Sequence, residues 1–195
     1  MLEAIKFNLA HLADFTGRED RPTFWWYVLF LVIVDIVLGI VVGGPMVIGS
    51  MSAAFHAAQS GASQQEIQAQ MLQRMSGQIF GMVWISAAIK VLIMALSVAA
   101  FVRRLHDSNN SGWWAALAVA AQVAVFAVNY SMLGPMRDAM ASAWSAGDLQ
   151  AMTQRQANMR WLGLLGLIAP LIVLVFGVMK SSPGPNRYGD APQAG

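Results

Sequence analysis

Apolar and polar residues fall in blocks along this chain instead of alternating. From Phe24 to about Met46 the sequence is almost wholly apolar, with Asp35 as the exception. A run of about 23 such residues spans a hydrocarbon core of roughly 30 Å with some tilt. Ile79 to Val102 is a second run, Gly112 to about Leu133 a third, and Trp161 to Met179 a fourth. The pattern predicts an all-α, polytopic membrane protein in one membrane domain, residues 1–195, with spans at about 24–46, 79–102, 112–133 and 161–179. Trp25, Trp26 and Tyr27 open the first span, and Trp113 and Trp114 the third, where amphipathic rings sit at headgroup level. Gly44-Pro45-Met46 and Gly134-Pro135-Met136 are expected to close those two spans. Pro170 lies inside the fourth span, and a kink is expected there.

The intervening segments complete the outline. Residues 1–23 form an N-terminal segment; in its first fifteen residues Leu2, Ile5, Leu9 and Leu12 recur at helical spacing, while Glu3, Lys6, Asn8 and Asp14 lie largely elsewhere around the turn. This predicts a short amphipathic helix, either along the membrane interface or packed under the bundle. It lacks the basic start and compact apolar centre of a cleavable signal peptide. Gly17 and Pro22 punctuate the chain before the first span. Residues 47–78 are rich in Ser, Gln, Met and Ala, with only Glu66 and Arg74 charged, and read as a helical outer loop. Residues 134–160 form a second polar loop with Arg137, Asp138, Asp148, Arg155 and Arg160; residues 180–195 are a Pro/Gly-rich tail.

Lys and Arg set the orientation. With the N-terminus inside, the cytoplasmic segments hold Lys6, Arg18, Arg21, Arg103, Arg104, Lys180 and Arg187, against Arg74, Arg137, Arg155 and Arg160 outside. Both termini are therefore expected in the cytoplasm. The halves also echo one another: Trp25-Trp26 with Trp113-Trp114, Gly44-Pro45-Met46 with Gly134-Pro135-Met136, and Ile67-Gln68-Ala69 with Leu149-Gln150-Ala151. Two readings stay open, a tandem repeat of two helical hairpins and chance similarity between two compositionally biased segments.

Composition narrows the function classes. Hydrophobic residues make up 57% and charged ones 11%, against roughly a quarter charged in a soluble domain. The formal net charge of +2 comes without the basic, aromatic-interleaved run that nucleic acid requires, so no nucleic-acid partner is expected. Absence of Cys excludes disulfides, thiolate metal sites and a Cys nucleophile. His11, His56 and His106 are scattered, so neither metal nor cofactor is expected. His106-Asp107 are adjacent, no nucleophile motif flanks them, and the chain is read as non-enzymatic.

Two clusters carry the candidate chemistry. Asp35 and Lys90 each lie about eleven residues from the end of their span, which at ~1.5 Å per residue places both near the bilayer midplane. Gln122 reaches a similar depth. The plainer reading is a structural clamp, and the sharper one a polar site for an ion, proton or polar solute. Gly39 and Gly43 form a GxxxG in the same first span, suited to seating a neighbouring helix or subunit. At the cytoplasmic rim stand Arg18 and Arg21, then Arg103, Arg104, His106 and Asp107, then Asn186, Arg187 and Tyr188. These arginines either meet anionic headgroups or a ligand, or act as topology determinants paired with Asp107, Asp20 or Glu19.

Three blocks in order carry a family resemblance. Phe15-x-Gly17-Arg18-x-x-Arg21-x-x-Phe24-Trp25, Arg103-Arg104-Leu105-His106-Asp107-x-x-x-Ser111-Gly112-Trp113-Trp114 and Pro183-Gly184-Pro185-Asn186-Arg187-Tyr188-Gly189 resemble the domain-of-unknown-function family 805, small multi-span proteins of the bacterial inner membrane. The resemblance implies that membrane and supplies no activity. The expectation is a scaffolding or envelope-sensing membrane component with anionic lipid, a copy of itself or another membrane protein as partner. The alternative is a small transporter or channel subunit using Asp35, Lys90 and Gln122.

Overall fold

A computed structural model describes residues 1–59, 63–146 and 164–192, without side chains at 54, 57, 58, 64–80 and 136–146. The described helices include α1 (Leu2–Ala10), α2 (Arg21–Gln59), α3 (Gln64–Asp107), α4 (Trp113–Ala146) and α5 (Ile168–Val178). Three apolar helical stretches are long enough to cross a bilayer: Arg21–Ala53, Gly81–Asp107 and Trp113–Pro135. Among the described residues the fold is all-helical, and the three long apolar helices mark a membrane-embedded protein.

Of the fourth apolar block, residues 164–179 are described: 164–165 are helical, 166–167 form a turn, and α5 follows with 11 residues. Trp161 to Gly163, where that span was expected to begin, lie outside the described residues. Pro170 falls in the first turn of α5, whose N-cap is Leu167. The N–H that proline lacks has no intrahelical acceptor at that position, so no kink follows.

Neither Gly-Pro-Met ends a helix. Pro45 lies inside α2 and Pro135 inside α4; proline is tolerated within membrane helices when neighbouring groups re-satisfy the freed carbonyl. The segment expected as the first outer loop is therefore largely helical, α2 running on to Gln59 and α3 starting at Gln64. The side chains of Glu66, Arg74, Arg137 and Asp138, and residues Asp148, Arg155 and Arg160, lie outside the described ones, as does the Gln/Ala-rich part of the internal echo.

The chain groups into two compact units, Met1–Leu31 with Met94–Gly195, and Val32–Ile93. In the first, Phe24, Tyr27 and Leu31 of α2 are buried with Ala99, Ala100, Phe101 and Leu105 of α3 and Ala115 and Ala118 of α4. The four alanines are small enough for close helix approach in a membrane. The Tyr27 hydroxyl donates to the Leu96 carbonyl at 3.1 Å, giving a buried phenol its partner. α4 packs on α5, with the Trp114 and Phe176 ring centroids 4.9 Å apart.

The second unit is an antiparallel pair formed by the middle of α2 and of α3. Lys90 Nζ donates to Asp35 Oδ2 at 2.5 Å, and a Cβ placed on Gly43 would sit 3.7 Å from Met82 Cε. These two contacts fix one register. Ile36, Val37, Ile40, Val41, Trp84, Ile85, Val91 and Leu92 are exposed around it, as lipid-facing side chains are.

Candidate functional site: a buried arginine cluster

The first unit gathers its polar chemistry at one end, where α1, the turn after α3 and the tail meet. That meeting depends on how α3 stops. Asn109 adopts φ 58°, the left-handed conformation that Asn tolerates better than most residues. The Asn110 N–H donates to the Leu105 carbonyl at 2.9 Å and the Asn109 N–H to the His106 carbonyl at 3.0 Å, a Schellman ending. In the last turn of α3, Arg103, Arg104 and Asp107 share one face and are buried, all at 2% exposure or less.

Each arginine holds a different segment. Arg103 Nε donates to Glu19 Oε2 at 3.1 Å and its Nη2 to Asn8 Oδ1 at 2.6 Å. Its Nη1 reaches the carbonyls of His11 and Asp14 just beyond α1. Arg104 Nη1 donates to Asp107 Oδ2 at 2.6 Å, Nε to the Gly177 carbonyl at 3.1 Å, and Nη2 to the Met179 carbonyl, capping the end of α5. Arg18 approaches Asp107 Oδ1 from Nε at 3.2 Å and Nη2 at 2.9 Å. It also donates to the carbonyls of Ser182 at 2.9 Å and Gly184 at 2.6 Å. Such forked, charge-assisted geometry is what guanidinium provides and ammonium does not.

The tail returns the arrangement. Ser182 donates through its N–H (2.8 Å) and hydroxyl (3.1 Å) to the Asp107 carbonyl, and Asn186 Nδ2 donates to the His106 carbonyl at 2.9 Å. Carbonyls that a helix end leaves without intrahelical partners are thus satisfied by residues far along the chain. Ser181 Oγ donates to Asp107 Oδ2. The tail itself turns on reciprocal backbone bonds of 3.0 Å between Asn186 and Gly189. That turn lays Tyr188 flat on His106, centroids 3.8 Å apart, with Arg187 4.7 Å above the tyrosine ring.

Two glycines serve opposite purposes here. Gly17 has φ 76° and open space where a Cβ would stand, so its backbone conformation is what matters. Its turn delivers Arg18 and Glu19 into the cluster. A Cβ on Gly177 would lie 2.7 Å from Trp25 Cζ2 and 3.1 Å from Phe24 Cε1, so there the missing side chain matters. Trp25 Nε1 donates to the same Gly177 carbonyl at 3.1 Å.

Charge and burial explain the arrangement. Arg18, Arg103 and Arg104 face Glu19 and Asp107, an excess of positive charge in a buried place. The excess meets carbonyls at and beyond the C-terminal ends of α1, α3 and α5, and a helix C-terminus carries partial negative charge. Among the described residues no buried side-chain nitrogen or oxygen lacks a hydrogen-bond partner. Burial pushes the Glu19 carboxyl above its ordinary range, against the opposing pull of the Asn8 amide and the Arg103 charge. At the surface, the hydroxyl and N–H of Thr16 both donate to Asp14 and hold that carboxyl below its usual range.

The rim residues singled out from sequence thus separate. Arg18, Arg103, Arg104 and Asp107 come together and are buried; His106, Asn186 and Tyr188 line their edge at partial exposure; Arg21 and Arg187 are exposed. Of the three acids considered as partners, Glu19 and Asp107 pair with arginines, and the Asp20 carbonyl instead accepts from the Phe24 N–H at the start of α2. Sequence reasoning did not place Asn8, Ser181, Ser182 or Gly177 in the site. Asn8 carried a faint signal, a polar residue inside a short helix, donating both to the Ala4 carbonyl and to Glu19. Asp35 and Lys90 meet in the second unit, while Gln122 stands half-buried on α4 in the first. No group of three or more His, Asp or Glu side chains suited to a metal ion occurs among the described residues.

No curated protein and no solved structure matches this chain. A family described as "Protein of unknown function (DUF805)" matches residues 12–190, a stretch that runs from the end of α1 through the arginine cluster to the Asn186–Gly189 turn. With nearly its whole length covered, the chain belongs to the DUF805 family.

Proposed function

We infer that this protein is a non-enzymatic, multi-pass component of the bacterial inner membrane, with both termini cytoplasmic. In this reading the buried arginine cluster builds a fixed cytoplasmic platform on which anionic headgroups and membrane partners assemble. One contrast carries it. Arg18, Arg103 and Arg104 are occupied by protein acceptors, whereas Lys6, Arg21, Lys180 and Arg187 in the same unit are exposed. A surface cation near an anionic leaflet contributes about 1 kcal/mol, so four of them suffice for a clear lipid preference. The expected measurement is native mass spectrometry of protein released from mixed phosphatidylcholine/phosphatidylglycerol nanodiscs. Phosphatidylglycerol should be retained preferentially, and the preference should fade with salt and with Lys6, Arg21, Lys180 and Arg187 all changed to Gln. Equal retention of neutral and anionic lipid would end this reading.

A second reading, a small transporter or channel subunit, draws on the Asp35–Lys90 pair, because ionisable residues within membrane helices commonly mark solute or ion paths. Liposome flux lost on changing both residues to Leu, in a protein that still folds, would favour it.

A further inference from the structure

The Asp35–Lys90 pair stands in an unusual place. The two residues lie in the middle of helices long and apolar enough to span a bilayer, yet the Lys90 side chain is 51% exposed and that of Asp35 27%. Hydrocarbon is a poor neighbour for ions, even paired ones, and such residues almost always face protein or water. One turn along the same face the register set by Asp35–Lys90 and Gly43–Met82 brings Gly39 opposite Ser86. A Cβ on Gly39 would meet nothing within 4 Å, and Ser86 is exposed. The face is therefore a half-open ion pair beside a shallow, small-residue surface, bordered by exposed Ile36 and Ile40.

We propose that a second copy of this chain covers this face, so that Asp35 of each copy meets Lys90 of the other about a two-fold axis along the membrane normal. The argument for a copy over another partner is self-complementarity. An isologous interface brings residue i of one subunit to residue j of its partner and j to i. One acid and one base in direct contact, hence at one depth, satisfy that rule under this axis. Each ion then gains a second opposite charge and leaves the lipid, and the set of four is neutral. Gly39 and Ser86, lacking bulk, let the two hairpins approach.

The chain has no Cys, so the test can use single engineered thiols in native membranes. With wild-type charges, Gly39→Cys should form a disulfide-linked dimer on mild oxidation, and Ile33→Cys much less, since Ile33 lies on a different face from Asp35 and Gly39. Charge complementation then checks the ions themselves. Differently tagged Asp35→Lys and Lys90→Asp copies should co-purify when expressed together, about ten-fold more than either variant with itself. A Gly39→Cys chain that stays monomeric, or joins a protein of different mass, overturns the proposal. So does cross-linking undiminished by changing Asp35 and Lys90 together to Leu. Because the thiol experiment leaves both charges in place, it decides even if the charge variants fail to fold.

Discussion

Arg104 donates from all three guanidinium nitrogens, to Asp107 and to the carbonyls of Gly177 and Met179. A lysine at this position has one nitrogen and cannot hold three acceptors around a planar fork. Arg104→Lys should therefore destabilise the protein even though the charge is kept, and Arg103→Gln, which strands the Glu19 carboxylate, should cost about 3–5 kcal/mol. Thermal unfolding in detergent would register both. Glu19→Gln should be milder, because Arg103 keeps Asn8 and two carbonyls as acceptors. Its effect should also depend on pH in a definite direction. The folded-state pKa of Glu19 is raised above the ordinary 4.5, so between those values the folded protein binds the proton more tightly than the unfolded chain. Stability from this group is highest below the ordinary value and falls as pH rises through the raised one. Wild type should thus gain on Glu19→Gln as pH drops through that window, and a constant difference between the two would show that burial does not govern this carboxyl.

At the scale of elements, the cluster is an exchange of helix ends. α3 caps α5 through Arg104, the tail caps α3 through Ser182 and Asn186, and Arg103 holds the carbonyls after α1. Deleting the tail after Lys180 should consequently lower the melting temperature of the membrane domain, although no apolar span is touched, because it exposes the end of α3. Gly177→Ala should act similarly through the steric route, since its Cβ would press on Trp25 and Phe24. Asn109→Gly should be neutral or slightly stabilising at its φ of 58°. The first three spans were legible in the sequence because twenty-odd apolar residues have few other uses. Their ends were less so. Proline marks a stop in soluble chains, yet α2 and α4 run through Pro45 and Pro135, because that rule relaxes within a membrane. The rim arginines are visible in the sequence as a group, with Asp107 and Glu19 near enough along the chain to be their partners. Their burial was not visible, because the acceptors that satisfy them come from Glu19, from the end of α1 and from a segment about 75 residues further on. No local pattern marks a contact between Ser182 and Asp107.

At the scale of the whole chain, one unit holds the buried arginine cluster and the other an apolar helix pair whose middle carries ions. Orientation is the property on which the lipid reading depends, and the absence of Cys makes it directly measurable. Glu3 and Asp190 are exposed in the unit that contains the cluster, and Gln59 is exposed at the far end of α2. If the lysine and arginine bias orients the chain, single thiols at Glu3→Cys and Asp190→Cys should be shielded from a membrane-impermeant maleimide in intact cells, and Gln59→Cys should react. The two terminal thiols must behave alike, since Arg18 and Arg103 bind the N-terminal segment to the same residues that hold the tail. Labelling of both termini from outside would invert the topology and place the exposed cations opposite the cytoplasmic leaflet. Labelling of one alone would contradict the cluster itself, because a chain whose ends lie across the bilayer from each other cannot close Arg18 onto Gly184.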